Sequence, residues 1–316
     1  MTNEENGKIL ITDSLFIYPE HEKMLINAGY EIERLDKPDA SEEELIVAVK
    51  GKVGYILGGV EKITDKVIEA ADQLKAIAFT GSDHRSFIPG ADLATKKGIA
   101  ISSTPGANTY AVSEYTLAII LAMTRNLFEL GRTGNKKFQT VHSLNDLTVG
   151  IVGMGHIGTR MANLLCYMGT KKIIYFTRTR KPGVEKETGV EFADLNTLLR
   201  ESDIVTLHAS KEIGDNFIGK DELAKMKNGA LLMNCGFTGA LDKDALFEEL
   251  QAGRLRAAQD DPMGDKRFDT LPLSNWFNSN SHTAYNTFEA NKTASDMAIS
   301  SLLNLLATGV DQYRVN

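Results

Sequence analysis

The segment Thr148–Gly169 reads TVGIVGMGHIGTRMANLLCYMG, and it decides the fold of this chain. It opens with the apolar run Val149–Val152, which is typical of a buried β-strand. A turn follows in which Gly153, Gly155 and Gly158 stand in G-x-G-x-x-G spacing. Apolar residues then recur at helical spacing: Ile157, Met161, Leu164, Leu165 and Met168. The order of strand, glycine turn and amphipathic helix predicts a dinucleotide-binding site.

Each of the three glycines has a separate physical role. Gly153 allows the tight turn out of the strand, and Gly155 leaves room for a pyrophosphate to approach the backbone. Gly158 lets the helix pack close to the sheet, and the helix N-terminus offers free N–H groups to the phosphates. A second strand at Lys172–Phe176 completes a β-α-β unit. The alternative interpretation is a tight strand-to-helix turn without a ligand.

Composition and charge narrow the class of protein. The chain has 316 residues, of which 42% are hydrophobic and 24% charged, as in ordinary globular proteins, and this length suggests two domains. A net charge of −7 argues mildly against nucleic acid or an anionic membrane as the main partner. No apolar run approaches the ~20 residues of a membrane span, and the polar N-terminus is not typical of a signal peptide.

The two cysteines, Cys166 and Cys235, lie in apolar stretches of the sequence. Two thiols make neither a disulfide framework nor a metal cluster. We therefore expect a protein of the reducing cytoplasm that has no metal site.

The first hundred residues alternate strand-like and helix-like segments, which predicts parallel β-α units. The expected strands are Lys8–Thr12, Glu31–Leu35, Val53–Leu57, Leu74–Thr80 and Gly98–Ser102. Ser41 with Glu44 predicts a capping box at the start of a helix. The segment Thr104-Pro105-Gly106 then breaks the pattern.

The rest of the chain predicts a second sheet around the glycine turn. A long helix over Asn108–Leu127 is apolar nearly all round, which is typical of a buried helix, and a polar stretch follows at Gly131–Asn145. Further strands are expected at Asp203–His208, Ala230–Asn234, Leu255–Gln259 and Trp276–Asn278. The last helix, Phe288–Leu306, is expected to return to the first domain. The sequence thus predicts an α/β protein with two doubly wound parallel sheets: a discontinuous, flavodoxin-like substrate domain (1–102 and 287–316) and a Rossmann cofactor domain (103–286).

The end of the second strand in the cofactor domain bears on the choice of cofactor. NAD-binding domains carry an acid about 20 residues beyond the glycines, and it binds the ribose diol. Here Thr177-Arg178-Thr179-Arg180 follows the strand, and no acid is present. Because a guanidinium suits a phosphate dianion, we expect NADP(H) to be favoured over NAD(H). The alternative is that both arginines lie in a solvated loop.

Over nearly its whole length, the chain resembles the D-isomer-specific 2-hydroxyacid dehydrogenases. The matching stretches are SSTPGANTYAVSEYTLAIILAMTRNL, VGIVGMGHIGTRMA, SDIVTLHA, MKNGALLMNCGFTGALDKDAL, GRLRAAQDDP and NSHTAYNT. YFTRTRKP is most similar to the NADPH-preferring glyoxylate/hydroxypyruvate reductase branch. The resemblance implies a substrate site between the domains and a homodimer formed through the cofactor domain. It also implies cofactor contacts at His156, Ile157, His208, Cys235, Gly236, Asp260 and His282, beside the glycines and Thr177–Arg180.

The family's catalytic histidine matches His282, in Asn280-Ser281-His282-Thr283-Ala284. An imidazole suits proton transfer because its ordinary pKa is near 6.5. The family's paired acid stands five residues after the Asp that matches Asp260, and Asp265 occupies that position. A gap in the loop would instead make Asp261 the partner.

The family's catalytic arginine has no match, since Phe237 stands in its place in Met233-Asn234-Cys235-Gly236-Phe237-Thr238. Three explanations remain open. Another cation, Arg85 or His84, takes over; the substrate presents an apolar group to Phe237; or the protein binds cofactor without turnover. The resemblance also implies that backbone N–H groups at Thr80-Gly81-Ser82 hold a substrate carboxylate.

The sequence therefore supports two hypotheses. The first is an NADP(H)-dependent oxidoreductase that acts on a small 2-keto acid, or on a related non-standard carbonyl substrate, with His282 as the proton donor and Asp265 as its partner. The second is a catalytically impaired protein of the same fold that binds dinucleotide and acts as a regulatory or binding protein.

Overall fold

The computed structural model describes residues 6–12, 16–37, 39–134, 140–281 and 283–316. The chain divides into two compact units: Met1–Asn108 together with Thr287–Asn316, and Thr109–Asn286. Each unit has its own parallel sheet and its own apolar core. No helix among the described residues has both the length and the apolar character that a membrane crossing needs.

The first unit is built on a five-stranded parallel sheet. Its strands are β1 (Lys8–Thr12), β2 (Glu31–Leu35), β3 (Lys52–Leu57), β4 (Ala76–Phe79) and β5 (Ala100–Ser102). They lie in the order β2-β1-β3-β4-β5, so the order reverses between β1 and β3. The helices between them are α1 (Pro19–Asn27), α2 (Glu42–Ala48), α3 (Asp65–Ala70), α4 (His84–Phe87) and α5 (Ala91–Lys96). The flavodoxin-like order expected from the sequence is confirmed.

The second unit carries a seven-stranded parallel sheet. Its strands are β6 (Thr148–Val152), β7 (Lys172–Phe176), β8 (Glu191–Phe192), β9 (Ile204–Leu207), β10 (Leu231–Asn234), β11 (Arg256–Gln259) and β12 (Trp276–Asn278). Their order is β12-β11-β10-β9-β6-β7-β8, which is doubly wound about β6 and β9. Its helices are α6 (Thr109–Thr124), α7 (Leu127–Thr133), α8 (His156–Tyr167), α9 (Pro182–Thr188), α10 (Leu195–Glu201), α11 (Lys220–Lys225) and α12 (Lys243–Gln251). This Rossmann-type order confirms the predicted fold class.

The final helix, α13 (Phe288–Thr308), belongs to the first unit although almost two hundred residues of chain separate it from β5. Its apolar face enters the core formed by β1, β3 and β4, with Ala298, Ile299, Leu302 and Leu305 buried. Gly54 in β3 makes room for this helix, since an added Cβ would lie 3.4 Å from Leu302 and 3.2 Å from Leu306. Packing of α13 therefore depends on a glycine in a central strand.

Local sequence signals succeed at some helix ends and fail at others. Glu44 N donates to Ser41 Oγ at 3.3 Å and Ser41 N donates to Glu44 Oε2 at 2.8 Å, so the predicted capping box forms. The helix predicted over Asn108–Leu127 is confirmed, but it ends at Thr124, because Asn126 adopts a left-handed conformation (φ 53°) and a second helix, α7, begins at Leu127. Helix α9 and strand β8 were not predicted, since both are short and have no apolar periodicity.

Candidate functional site

The order of the second sheet reverses between β6 and β9, and ligands of such sheets bind beyond the carboxyl ends of the strands at this point. Gly153 follows β6 there, and His208 follows β9. His208 N donates to Val152 O at 2.8 Å, which brings the two segments side by side. Gly153 has φ +94°, and an added Cβ would lie 2.8 Å from His208 O. Both conformation and space therefore require glycine.

The other two glycines of the turn have different surroundings. Gly155 is exposed and is the N-cap of α8, and no atom lies within 4 Å of where its Cβ would be. Gly158 is buried, and an added Cβ would collide with the carbonyl oxygen of Gly153. His156 and Ile157 begin the helix, His156 exposed and Ile157 half-buried. The open backbone at Gly155 and the N–H groups at the start of a twelve-residue helix fit a pyrophosphate.

The two arginines in the loop after β7 differ in their contacts. Thr177 is half-buried, while Arg178, Thr179 and Arg180 are exposed. Arg180 Nε and Nη2 donate to the two carboxylate oxygens of Glu185 at 2.8 and 2.7 Å. Arg178 makes no hydrogen bond or ion pair with any residue that the structure describes. Of the two arginines expected at the ribose, Arg178 is therefore the available one.

Three residues of the predicted cofactor site follow strands β9 and β10 at their carboxyl ends: His208, Cys235 and Gly236. Burial lowers the pKa of His208 to about 3, and its Nε2 lies 2.9 Å from Thr206 Oγ1. Burial also raises the pKa of the Cys235 thiol to about 12. An added Cβ on Gly236 would lie 2.7 Å from Ala209 O. The imidazole and thiol are thus uncharged at neutral pH.

Asp260, at the end of β11, is 4% exposed and binds the backbone just after His282. Its Oδ1 accepts from Ser279 Oγ at 2.8 Å and from Thr283 N at 3.1 Å, and its Oδ2 accepts from Ala284 N at 3.0 Å. His282 itself lies outside the described residues. The expected role of Asp260 at the cofactor is not tested by these contacts, but they make the carboxylate an anchor for the adjoining loop.

Asp265, the predicted partner of His282, is bound to Arg267, two residues further along the chain. It precedes the 3-10 turn Lys266–Thr270 and accepts from Arg267 N at 2.9 Å. Arg267 Nε also donates to Asp265 Oδ2 at 2.9 Å, and this guanidinium lowers the pKa of Asp265. Asp261, the alternative, accepts from Thr238 Oγ1 at 2.8 Å. Pairing of either acid with His282 stays a prediction.

Phe237 is half-buried and follows Gly236 in the segment after β10. Its N–H donates to Ala209 O at 3.0 Å, and its carbonyl accepts from Ala240 N at 3.1 Å. Its ring packs over Gly239, where an added Cβ would lie 2.8 Å from Phe237 Cε1. The two backbone hydrogen bonds fix the position of the Phe237 backbone. Its ring is an apolar surface at the place where the resemblance implies a cation.

In the first unit, the predicted carboxylate loop follows β4. Thr80 N donates to Leu57 O at 3.0 Å, and Gly81 O accepts from Thr104 N at 2.9 Å. Within the part of the chain that the structure describes, the N–H groups of Gly81 and Ser82 donate to no acceptor. Two adjacent free N–H groups are suited to an anion. Arg85 is exposed in α4, with Nη1 3.5 Å from Asp92 Oδ1.

A seven-stranded sheet with a glycine turn at its reversal point and a helix N-terminus beyond it defines a dinucleotide-binding domain. Comparison with known families makes this specific. Residues 117–280 match the model described as D-isomer specific 2-hydroxyacid dehydrogenase, NAD binding domain. A glyoxylate reductase from Thermococcus litoralis is 35% identical over 271 residues, which are 79% of this chain and 78% of the relative. The chain therefore belongs to the D-isomer-specific 2-hydroxyacid dehydrogenase family, whose members are NAD-dependent oxidoreductases of 2-hydroxy and 2-keto acids.

Solved structures share the fold of this chain. A Thermus thermophilus protein is 28% identical with a TM-score of 0.84, and the match covers 98% of this chain and 100% of that one. The NAD+-bound 3-phosphoglycerate dehydrogenase of Entamoeba histolytica is 22% identical with a TM-score of 0.82, covering 98% of each chain. At that identity the second match supports the fold alone.

Sequence reasoning missed two contacts that shape the site. It named Asp260 but not its bonds to the backbone after His282, because those bonds join residues from different elements. It did not name Glu185, which lies among other charged residues in KPGVEKET and has no spacing that distinguishes it.

Proposed function

We propose that this protein is an oxidoreductase that prefers NADP(H) and interconverts a small 2-hydroxy acid with its 2-keto acid, or acts on a related carbonyl compound. The observation that carries the proposal is the site at the β6/β9 reversal, where an open glycine turn adjoins a loop with an available arginine. Gly155 supports phosphate approach because no atom occupies the space of its Cβ. Arg178 supports the NADP(H) preference because it is exposed and stands near the usual position of an acid.

Each part of the cofactor has residues suited to hold it. The N–H groups at His156 and Ile157 would bind the pyrophosphate, and Arg178 with the hydroxyls of Thr177 and Thr179 would bind the 2′-phosphate. The neutral groups His208 and Cys235, with Gly236, would border the nicotinamide. When bound, the cofactor supplies the hydride chemistry.

The protein's own contribution is to position the substrate and to move a proton. We assign the proton to His282, since an imidazole exchanges protons near neutral pH. Asp260 supports this role because it fixes the backbone of Thr283 and Ala284 with bonds of 3.1 and 3.0 Å. We assign a substrate carboxylate to the N–H groups of Gly81 and Ser82, and we keep Asp265 as the proposed partner of His282.

Phe237 points to a substrate that differs from a simple 2-keto acid. An arginine at this place would stabilise developing negative charge by charge-assisted hydrogen bonds, and a phenyl ring does not. The apolar ring instead favours a substrate with an apolar group next to its carbonyl.

The same residue supports a second candidate, a protein that binds dinucleotide without turnover. Loss of the arginine is the change that such a protein would tolerate, since it costs transition-state stabilisation and leaves nucleotide binding intact.

Binding and turnover assays on the full chain test both candidates. NADPH and NADH are titrated by fluorescence, and oxidation of the preferred one is followed with 2-keto acids, aldehydes and ketones. We expect tighter binding of NADPH, turnover with at least one carbonyl, and a loss of about 10²–10⁴ in rate on His282→Ala. Because His282 is also an expected cofactor contact, the affinity of this variant for NADPH should fall, but by much less than the rate. Tight NADPH binding without turnover on any carbonyl would favour the second candidate. Equal affinities for both cofactors would contradict the NADP(H) preference.

We also propose a cytoplasmic homodimer formed through the second unit. Apolar side chains on that unit support an interface: Tyr110 is 64% exposed, Leu127 55% and Tyr167 85%. Sedimentation equilibrium should give twice the chain mass, and a monomer at micromolar concentration would contradict the proposal.

A further inference from the structure

Glu185 binds Arg180, one of the two arginines in the loop Thr177–Arg180, and it also binds Tyr175. We call the contacts among Glu185, Arg180 and Tyr175 the clamp. Glu185 is in α9, and its side chain is 16% exposed, whereas that of Arg180 is 62% exposed. Arg180 donates two parallel hydrogen bonds to the carboxylate. Tyr175, in β7, donates its hydroxyl to Glu185 Oε1 at 2.6 Å and accepts from Lys181 N at 2.8 Å. The clamp thus ties both ends of the loop to the helix that follows it.

The clamp is strongly ionised, because both partners stabilise the charged carboxylate. The Arg180 guanidinium, and after it the Tyr175 hydroxyl, lower the pKa of Glu185 to about 2. The pKa of Arg180 is raised in turn by its bond to Glu185. A two-bond pair of this kind is stronger than a typical exposed ion pair. Arg180 is therefore occupied at neutral pH, while Arg178, two residues away in the same exposed loop, is bound to none of the residues that the structure describes.

We propose that Glu185 limits recognition of the 2′-phosphate by withholding Arg180, so that Arg178 alone confers the preference for NADP(H). This inference rests on the proposed function, and it names Glu185 as a specificity-determining residue that does not itself touch the nucleotide. Its carboxylate also places a negative charge beside a site meant for a dianion. Neutralising Glu185 frees a second guanidinium and removes that charge, and both changes favour the phosphate.

Binding of nucleotide fragments to the full chain tests the proposal without any need for turnover. Calorimetry compares 2′-phospho-ADP-ribose with ADP-ribose, which differ only in the 2′-phosphate. We expect Glu185→Gln to tighten 2′-phospho-ADP-ribose about threefold to tenfold, since one charge-assisted contact is gained. The affinity for ADP-ribose should stay within about twofold, and the dependence on salt should become steeper.

Matched variants separate this role from a structural one. Glu187→Gln removes the same charge from an exposed position on the same helix and should leave both affinities unchanged. Tyr175→Phe removes the hydroxyl from the clamp but keeps the Arg180 pair, and it should leave the ratio of the two affinities unchanged. Arg178→Gln alone should abolish the preference for 2′-phospho-ADP-ribose over ADP-ribose. The double variant Arg178→Gln with Glu185→Gln should keep part of this preference, because Arg180 is then free to bind the phosphate.

Two results would overturn the inference. Either Glu185→Gln weakens both ligands alike, which makes the clamp a scaffold of the loop, or it leaves the affinity for 2′-phospho-ADP-ribose unchanged. Failure of the proposed function looks different, since the wild type would then bind neither fragment or would not prefer the phosphorylated one.

Discussion

Among single residues, Phe237 is the one whose proposed role departs most from the pattern of the family. Its N–H donates to Ala209 O, and its carbonyl accepts from Ala240 N. These two bonds fix the backbone position from which the side chain extends. If Phe237 occupies the place of the family's catalytic arginine, as we propose, fewer donors stabilise the charge that develops on the substrate. A single substitution can test whether Phe237 determines which carbonyl compounds the protein accepts.

Phe237→Arg should raise kcat/KM for short 2-keto acids by about 10², because it supplies a donor pair to the developing oxyanion. Steady-state rates on the carbonyl panel check this. Phe237→Leu keeps an apolar side chain and serves as control, with rates on 2-keto acids expected within a few-fold of wild type. An unchanged kcat/KM for Phe237→Arg would indicate that another cation already fills the role.

His208 makes stability depend on pH. Its pKa is about 3 in the folded protein, below the ordinary value of about 6.5, so the unfolded chain takes up the proton first as pH falls. The contribution of His208 to the free energy of unfolding is complete above about pH 6.5 and is lost progressively as the pH falls toward 3. At pH 5 the loss is about 2 kcal/mol. Urea unfolding at pH 7 and pH 5 measures the loss, and His208→Gln should make it smaller by that amount. An equal loss in wild type and variant would contradict the prediction.

At the scale of elements, the glycine turn separates a packing role from a binding role. Gly158 lies where helix and strand meet, and Gly155 lies where no protein atom is near. The sequence placed both correctly in a strand, turn and helix, because that motif is local. It also predicted open space at Gly155 and close packing at Gly158, but not that the atom Gly158 approaches is the carbonyl oxygen of Gly153 across the turn.

Gly155→Ala and Gly158→Ala should therefore fail in different ways. Gly155→Ala should unfold at the wild-type temperature, since its φ of −83° suits alanine, but should bind NADPH at least about tenfold more weakly because its methyl group meets the pyrophosphate. Gly158→Ala should lower the free energy of unfolding by about 1–3 kcal/mol through overpacking. Thermal unfolding and NADPH titration check both. Wild-type affinity in Gly155→Ala would argue against a phosphate at this turn.

At the scale of the whole molecule, the first unit is assembled from both ends of the chain. The buried face of α13 completes a core whose strands precede Ser103. Each unit has a separate core, and Trp276, the sole tryptophan, is 5% exposed in the core of the second. This allows the stability of the two units to be followed by different probes.

Leu302→Ala should destabilise the first unit by about 2–5 kcal/mol, because it removes a fully buried side chain from that core. Urea unfolding followed by circular dichroism should shift to lower denaturant, while the Trp276 fluorescence transition should stay in place. Ser300→Ala, at an exposed site of the same helix, is the control and should shift neither. Equal shifts of both probes would show that the units unfold together.

The sequence by itself determined the fold class, the glycine turn and the resemblance to the family, because these depend on periodicity and on short motifs that are local. The replacement of the family's arginine by Phe237 stays a prediction. Only the tertiary structure decided that Arg180 is bound by Glu185, that Asp260 holds the backbone after His282, and that Gly158 approaches Gly153. These contacts join residues whose separation in space depends on strand order and helix packing, which no local pattern of residues specifies.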